Sequence, residues 1–448
     1  MSPSPAASDP GRIPATFLQP GASRFWLAVL LTGVGAGLGA AGLTRLLEAI
    51  QHFAWSGSGT HILEAASRVG AAHRVLVLVG AGLAVAVGQF VLVRLSSGNG
   101  IDITTAIWFE AGRLPVVRTL ASAALSVVVV GMGASLGREG APKQAGAVAA
   151  DLLADRGGLS DEQRRLLVAC GAGAGMAAAY GVPLGGALFA LEVLRGMLAL
   201  RLVLPALLAS VTATAVSWIF LPDAPTYRLA QAATTPATLL WALLIGPVCG
   251  AAAVGYVRAV AWADRNKPSG VLRLAAPILA LGLLGVAAVV FPQLLGNGRD
   301  LAEILFGGAG LPLALLFSLL VLKPAATLLC LGSGAPGGLF TPSLTFGALL
   351  GAALGGVGAR FLPGAPAGLC ALLGAGAVLA ATTQGSVSTV VLMMELTGQG
   401  RGFVAPLLLS VVAATLVSRA VEPRSIYDAR LSDEEVRERL AAREPSAH

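Results

Sequence analysis

Three charged residues follow one of the most apolar stretches of the chain. The segment GREGAPKQ (137–144) places Arg138, Glu139 and Lys143 just after the run LSVVVVGMGAS (125–135). An ionisable side chain inside a bilayer is costly unless it is paired or lines a cavity. These three residues are therefore candidates for ion or proton chemistry, and the elements around them must explain how they are held.

The composition indicates that those elements are membrane helices. Of the 448 residues, 56% are hydrophobic and only 12% are charged, whereas a soluble domain carries about 25% charged residues. We find about ten to fourteen apolar runs of roughly membrane-spanning length, many of them too short or too rich in glycine to cross alone. Clear examples are 26–43, 75–93, 239–257 and 408–421. The sequence predicts an all-α, multi-pass membrane protein.

Other function classes find little support. The net charge of +7 comes from Lys and Arg scattered along loops, which fits a membrane surface and argues against nucleic acid. No HExxH or GxxxxGK[ST] motif occurs, so a membrane-embedded metalloprotease or an ATP-driven pump is not indicated. The histidines form no metal cluster, and no cofactor is expected. Buried structural thiols are predicted for Cys170, Cys249, Cys330 and Cys370.

The ends of the chain differ in composition from its middle. Residues 1–24 are rich in Ser, Pro, Ala and Gly and are predicted to form a disordered tail. Residues 25–423 form the predicted transmembrane domain. Residues 424–448 are polar and are predicted to be a short cytoplasmic-type segment without a regulatory domain.

The transmembrane domain contains a weak internal repeat. SLGREGAPKQAG (135–146) and GSGAPGGLFTPSLTFG (332–347) each place a Gly-rich break with a proline at the start of a helix. An apolar segment ending in a glutamate follows each break. Two inverted halves are expected, at about 25–222 and 236–423, and transporters of that plan bind substrate where their broken helices meet.

The breaks themselves suggest the substrate. A helix that begins inside the membrane exposes N–H groups and the positive end of its dipole, and glycine lets an ion approach the backbone. Candidate breaks lie at 96–102, 137–144 and 337–343. Converging helix N-termini would hold a small anion without a full charge, weakly enough for it to leave.

At this point the motifs resemble those of the CLC anion channels and proton-coupled anion antiporters. GREGAPKQ resembles the family's GREGP motif, GGLFTPS (337–343) its GxFxP motif, and GNGID (98–102) its GSGIP motif. The tyrosine of RSIYDARL (424–431) stands where the family has a pore-lining tyrosine. The resemblance spans about residues 25–431. It implies a homodimer in the lipid bilayer, in which each subunit has its own pathway for chloride or fluoride and, in antiporters, for protons.

The resemblance also implies roles for particular residues. Glu139 matches the gating glutamate, which can block the pathway and couple proton to anion movement. The anion-binding positions are Asn99, Gly100, Arg138, Gly140, Leu339, Phe340 and Tyr427. Among these, Leu339 and Phe340 would offer backbone donors, the Phe340 ring would line the pore, and Tyr427 would offer its hydroxyl. For Arg138, a loop anchor or a field-shaping charge is favoured over a direct ligand.

Several positions depart from the family pattern. Asn99 replaces the usual pore serine, a position that affects anion preference, so both chloride and fluoride stay open. Asp102 and Ala141 replace prolines. Lys143 stands where a small or apolar residue is usual; it would either raise the local anion concentration or pair with a carboxylate.

The position of the second glutamate of many antiporters falls on Val193. Valine there is typical of the channel branch, and a fluoride/proton antiporter branch also lacks that glutamate. Glu192 and Glu395 are expected to be structural, and Lys323 to be a pairing or interfacial residue. Proton-coupled transport of chloride or fluoride, in a bacterial inner membrane, is the favoured function, and a passive, gated chloride channel is the alternative.

Overall fold

The computed structural model describes most of the chain, and its described part is almost entirely helical. Within that part the helices include one π-helical and one 3-10 turn, and the only strand-like pairing is an isolated bridge between Gly137 and Gly338. The predicted all-α fold is confirmed. The described residues are 13–14, 21–56, 61–95, 102–229, 234–399, 402–428, 431 and 434–437.

The first half contains nine α-helices among its described residues. A π-helical turn at Ala190–Arg195 continues α8. The helices are α1 (Ala22–Trp55), α2 (Ile62–Arg68), α3 (Ala71–Leu95), α4 (Ile103–Phe109), α5 (Val116–Gly131), α6 (Gly140–Arg156), α7 (Asp161–Tyr180), α8 (Pro183–Phe189) and α9 (Leu200–Ser217).

The second half contains eight α-helices in its described part. A 3-10 turn at Pro292–Leu294 precedes α12. The helices are α10 (Pro236–Arg265), α11 (Leu272–Val290), α12 (Arg299–Phe306), α13 (Leu313–Gly332), α14 (Phe340–Gly358), α15 (Ala367–Thr383), α16 (Ser386–Thr397) and α17 (Val404–Val421).

Eight of these helices are long and apolar enough to cross a membrane, and three shorter ones are apolar. The long spans are α1, α3, α9, α10, α11, α13, α14 and α17, and the shorter ones are α5, α15 and α16. Together they fall within the expected range of apolar runs. The protein is a multi-pass integral membrane protein.

Close helix packing repeats at corresponding places in the two halves. A Cβ on Gly146 of α6 would lie 2.0 Å from the carbonyl oxygen of Gly171 in α7. A Cβ on Gly347 of α14 would lie 2.3 Å from the carbonyl oxygen of Gly374 in α15. Glycine lets these backbones touch, which is how membrane helices associate when no hydrophobic effect drives them together.

Two glutamates join the halves in a reciprocal way. The Glu192 carboxylate accepts hydrogen bonds from the backbone N–H groups of Val387 and Ser388, at 3.1 and 2.6 Å, at the start of α16. The Glu395 carboxylate, near the end of α16, accepts two backbone N–H groups at the start of α8, at 3.0 and 2.7 Å. Each half therefore caps a helix of the other, as inverted repeats require. Both glutamates have the structural position expected of them.

The termini need a correction. Helix α1 begins at Ala22, three residues inside the predicted tail 1–24, and Ala22 itself is buried. Ile13 also packs against the core, as an apolar side chain is expected to do. The rest of the tail, 1–12 and 15–20, lies outside the described residues. The other domain boundaries stay predictions, although α17 ends at Val421, close to the predicted end at 423.

Lys323 also differs from its prediction. It is 1% exposed on α13, and its Nζ donates to the carbonyl oxygens of Leu294 (2.9 Å), Leu295 (3.3 Å) and Gly296 (2.8 Å). It is therefore neither an interfacial residue nor a member of a carboxylate pair. The ammonium group holds the turn before α12, where three carbonyl groups converge on it. The four cysteines, by contrast, are buried free thiols as predicted.

Candidate functional site

Two helix N-termini meet at the centre of the described part of the chain. Helix α6 begins at Gly140, directly after Glu139, and α14 begins at Phe340. The loops before them are joined by two hydrogen bonds, from the Gly137 N–H to the Gly338 carbonyl (2.7 Å) and from the Gly338 N–H to the Gly137 carbonyl (2.8 Å). The two breaks at 137–144 and 337–343 are thus brought together.

The Glu139 carboxylate lies on the N-terminus of α14. The side chain is fully buried, and Oε1 accepts a hydrogen bond from the Phe340 N–H at 2.7 Å. Oε2 accepts hydrogen bonds from the hydroxyl groups of Thr341 (3.2 Å) and Tyr180 (3.4 Å). A helix N-terminus with free N–H groups is an anion site. The carboxylate therefore occupies the position that an inorganic anion would take.

Bare glycine backbone makes room for this carboxylate. A Cβ on Gly338 would lie 2.0 Å from the Glu139 Oε1, and one on Gly137 would lie 2.2 Å from it. Neither distance is possible for real atoms. The glycines of the two motifs are required here by the close approach of the carboxylate to the backbone.

Glu139 makes no ion pair with any other residue in the described ranges, and this includes its neighbour Arg138. The Arg138 guanidinium carbon instead lies 5.0 Å from the centre of the Tyr180 ring. Such a cation–π contact holds the arginine beside Tyr180 without neutralising the carboxylate. The simple alternative for Glu139, a salt bridge with Arg138, does not fit this geometry.

Two spaces adjoin the residues on either side of Glu139. A cavity of about 600 Å³, here called the wide cavity, is lined by Gly140, Lys143, Leu339 and Tyr427, among others. A space of about 30 Å³, here called the narrow cleft, is lined by Arg138, Gln51, Asn297 and Arg299, among others. Gly140 and Arg138, the two chain neighbours of Glu139, thus line different spaces.

Aromatic rings form a continuous row past the carboxylate. Ring centres are 5.8 Å apart for Tyr427 and Phe189, 6.5 Å for Phe189 and Phe340, and 6.3 Å for Phe340 and Tyr180. The Phe340 ring is 2% exposed and belongs to this row. Its expected place in the lining of the pore stays a prediction, and its backbone N–H supplies the polar contact to Glu139.

The family can now be identified. A family model described as "Voltage gated chloride channel" matches residues 79–419. The chain belongs to this CLC family. Such proteins are transporters or channels, so it is not an enzyme.

Two bacterial relatives have sequences similar over most of their length. The chain is 31% identical over 334 residues to "H(+)/Cl(-) exchange transporter ClcA" of Yersinia pestis bv. Antiqua (strain Angola), covering 71% of this chain and 69% of the relative. It is 34% identical over 322 residues to "Voltage-gated ClC-type chloride channel ClcB" of Escherichia coli O9:H4 (strain HS), covering 70% and 76%.

Solved structures share the fold at lower identity. The structure of a slow cyanobacterial Cl⁻/H⁺ antiporter matches with a TM-score of 0.77 at 23% identity, covering 95% of this chain and 99% of that one. A CLC-type fluoride/proton antiporter matches with a TM-score of 0.74 at 22% identity, covering 91% and 98%. Both agree with the broken-helix CLC architecture.

Several predicted site residues of this CLC protein converge, and two lie outside the described residues. Gly140, Leu339 and Tyr427 line one cavity, and Tyr427 is buried against Phe189. Asn99 and Gly100 are the two predicted anion-binding positions that fall outside the described ranges. The roles of all these residues stay predictions.

Three residues near Glu139 were not found from the sequence. Thr341 directly follows Phe340 in GGLFTPS, and Tyr180 ends the apolar run before a Gly-Val-Pro break, so position alone could have singled out both. Arg299, which shares the narrow cleft with Arg138, has no such signal. The two hydroxyl groups matter because they add to the donors that hold the Glu139 carboxylate.

Val193 is buried. It is 1% exposed within the π-helical turn, and the adjacent Glu192 is turned towards the N-terminus of α16. The Glu192 carboxylate is thus used as a helix cap. It is not available in this arrangement as a substitute for the second glutamate that Val193 replaces.

Proposed function

We propose that this CLC protein exchanges a halide, chloride or fluoride, for protons, and that Glu139 couples the two movements. The observation that carries the proposal is the Glu139 carboxylate itself. It lies at the N-terminus of α14, with Oε1 2.7 Å from the Phe340 nitrogen, and its chain neighbours Gly140 and Arg138 line the wide cavity and the narrow cleft. A carboxylate and a halide compete for the same donors, so the pathway is blocked while Glu139 stays in place.

Protonation offers a way to open it. An ionised carboxylate accepts hydrogen bonds at both oxygens and is favoured by the positive end of the helix dipole, whereas the protonated form has lost that charge. A protonated Glu139 would therefore leave the α14 N-terminus more readily, and an anion would take its place. Return of the carboxylate would expel the anion and release the proton, which gives exchange in a fixed ratio.

The relatives support coupling to protons. The printed name of the Yersinia relative describes H⁺/Cl⁻ exchange, and two structural neighbours are described as Cl⁻/H⁺ and fluoride/proton antiporters. The choice between chloride and fluoride rests on Asn99, which lies outside the described residues. Both halides are therefore kept as substrates in the proposal.

A passive chloride channel is the second candidate, and Val193 favours it. That buried side chain cannot carry a proton, and the Escherichia coli relative is described as a voltage-gated chloride channel. The two candidates differ in one measurable property, since a channel releases anions with no proton movement.

The assembly and location belong to the same proposal. The resemblance to the family supports a homodimer in which each subunit carries its own pathway. The bacterial relatives favour the bacterial inner membrane.

The test is anion efflux from proteoliposomes loaded with chloride or fluoride, with external pH recorded at the same time. We expect proton uptake in fixed proportion to anion release for the wild-type protein, and loss of proton uptake in Glu139→Gln. Glu48→Gln, which neutralises a partly exposed glutamate paired with Arg45, is the matched control and should keep normal coupling.

The outcomes separate the candidates. Anion release without proton movement in the wild type would replace the antiporter with a channel. Proton uptake at the normal rate in Glu139→Gln would remove Glu139 from the coupling mechanism. The halide that is released faster identifies the preferred substrate.

A further inference from the structure

We propose that Arg138 and Arg299 together form an anion-binding site in the narrow cleft, which holds a halide as it enters or leaves the pathway. This site is separate from the N-terminus of α14 and from the wide cavity. The inference rests on the proposed function and adds a second binding position to it, with a residue, Arg299, that no sequence motif marks.

Two guanidinium groups line the narrow cleft, one from each half of the chain. Arg138 directly precedes Glu139 in the first half, and Arg299 is the first residue of α12 in the second half. Both residues are partly buried. Arginine stays protonated in proteins, because its ordinary pKa lies far above neutral. The fold therefore brings two positive charges to one small space.

Neither guanidinium group forms an ion pair among the described residues. Arg138 contacts the neutral Tyr180, with its guanidinium carbon 5.0 Å from the ring centre, and the neighbouring Glu139 carboxylate binds α14 instead. Arg299 donates from Nη2 to the Thr226 carbonyl at 3.5 Å. The Nε atoms of both arginines are buried without a hydrogen-bond partner in the described part of the chain. Buried donors are normally satisfied, so two such donors in one space indicate an acceptor that binds there.

The acidic residue that lines the cleft is bonded to other groups. Asp300 has Oδ1 3.2 Å from the His61 Nδ1, and its Oδ2 accepts a hydrogen bond from the Leu63 N–H at 2.9 Å. Glu303, one turn further along α12, has Oε2 3.9 Å from the same His61 nitrogen. Both carboxylates act on Arg299 through space only. The described lining thus has two positive charges and one negative charge, and the negative one is engaged elsewhere.

The two positive charges also repel each other. Arg299 belongs to α12, which is not among the membrane-spanning helices of the described chain. Burial, followed by the charge of Arg138, lowers the pKa of Arg299 from its ordinary value of 12.5. Like charges held together in a partly buried space raise the free energy of the charged forms. A halide in the cleft would be attracted by both groups and would reduce their repulsion.

The dimensions of the cleft restrict the ligand. Its space of about 30 Å³ has room for a ligand of about the size of a water molecule. A monatomic halide has that size, whereas an organic anion or a phosphate ester is too large. Amide side chains can add N–H donors to such a site, and those that line the cleft are Gln51, Gln293 and Asn297. We therefore assign the site to the halide of the proposed function.

A binding site at this place has a consequence for transport at low halide concentration. Positive charge in a narrow space raises the local concentration of anions. Removal of Arg299 should therefore raise the halide concentration needed for half-maximal exchange. It should leave the number of protons per anion unchanged, because the contacts of the Glu139 carboxylate do not include Arg299.

The experiment measures exchange by proteoliposomes over a range of chloride and of fluoride concentrations. We expect Arg299→Met to raise the half-saturating concentration of the preferred halide at least fivefold, with a maximal rate within twofold of wild type and unchanged protons per anion. Arg299→Lys, which keeps the charge, should stay within threefold. Arg113→Met removes an exposed arginine paired with Asp161, and this matched control should stay within twofold.

Crystals grown in bromide test the position of the ion. We expect anomalous density for bromide within hydrogen-bond reach of Arg138 and Arg299 in the wild type, and none at that place in Arg299→Met. Bromide density confined to other parts of the wild-type protein would overturn the inference, because the narrow cleft would then not bind a halide.

Two kinetic results would also overturn the inference. The first is an unchanged half-saturating concentration in Arg299→Met. The second is a lower maximal rate with an unchanged half-saturating concentration, since Arg299 would then only stabilise the start of α12. If Arg299→Met does not fold, Arg299→Gln compared with Arg299→Lys gives the same contrast.

Failure of the inference can be told apart from failure of the proposed function. Wild-type vesicles that release no halide would end the proposed function. Wild-type vesicles that exchange halide for protons, with the same concentration dependence in Arg299→Met, would end only the site in the narrow cleft.

Discussion

At the level of single residues, the Glu139 carboxylate lies against glycine backbone. Gly137 and Gly338 let the carboxylate lie against bare backbone, and the Phe340 N–H completes its hydrogen bonding. A small polar cage of this kind binds a carboxylate and a halide by the same donors. Residue size at Gly338 should therefore control how firmly the pathway is blocked.

Gly338→Ala tests that control. The new Cβ would lie 2.0 Å from the Glu139 Oε1, so the carboxylate has to move away from the α14 N-terminus. We expect several-fold faster halide efflux and fewer protons per anion in the proteoliposome assay. Gly255→Ala in α10 is the control, since its Cβ would meet open space. Unchanged efflux and stoichiometry in Gly338→Ala would mean that the carboxylate does not obstruct the anion.

At the scale of helices, short elements depend on caps from elsewhere in the fold. Helix α8 has seven residues and α16 has twelve, too few to be stable alone in water. Glu395 and Glu192 each satisfy two backbone N–H groups at the start of these helices. The reciprocal caps therefore fix two helices beside the aromatic row.

Glu395→Ala tests how much one helix cap contributes to the free energy of unfolding. Two N–H groups at the start of α8 would lose their acceptor, and an unsatisfied buried donor costs about 1–3 kcal/mol. We expect a fall of that size in the free energy of unfolding, measured by chemical denaturation in detergent. Glu64→Gln, on the exposed ion pair with Arg68, should change it by less than about 0.5 kcal/mol. Equal stability of the two variants would exclude Glu395 as a structural cap.

Lys323 is a second element-scale contact. Its ammonium group joins α13 to the turn at Leu294–Gly296, just before α12. In Lys323→Met the three carbonyl groups lose this donor, and we expect about 1–3 kcal/mol lower free energy of unfolding. Lys267→Met, which removes a more exposed lysine, is the matched control. A Lys323→Met protein as stable as wild type would show that the turn is stable without this ammonium group.

At the scale of the whole molecule, one carboxylate ties the second half to the segment that carries Tyr427. Glu422 ends α17 and accepts hydrogen bonds from Arg424, at 2.6 and 2.9 Å, and from Arg258 of α10, at 3.0 Å. The Arg424 hydrogen bond, followed by that of Arg258, holds the pKa of Glu422 below its ordinary value of 4.5. Folding is thereby linked to pH at this site.

The sign of the linkage follows from the lowered pKa. The unfolded chain binds the proton more readily, so the contribution of Glu422 to stability is fully present above pH 4.5 and is lost as the pH falls through its lower folded pKa. Unfolding of the wild type and of Glu422→Gln, compared from about pH 7 downwards, should differ most at neutral pH and converge in acid. A constant difference across that range would contradict the prediction.

The features that depend on a local pattern could be predicted from the sequence. The length and polarity of apolar runs indicated the membrane class, and the breaks predicted at 137–144 and 337–343 contain the two helix starts, Gly140 and Phe340. Apolar length, glycine breaks and helix starts are properties of neighbouring residues. These properties can be recognised in the sequence without knowledge of the fold.

Which of those local features contact each other depends on tertiary packing and could not be predicted. Glu139 and Phe340 are 201 residues apart, and only the paired loops at Gly137 and Gly338 bring the carboxylate onto the α14 N-terminus. The carbonyl partners of Lys323 lie 27 to 29 residues away in the chain, and the rings beside Lys143 belong to other elements. A local pattern marks a charge as exceptional, but its partner is set by how helices from two halves pack.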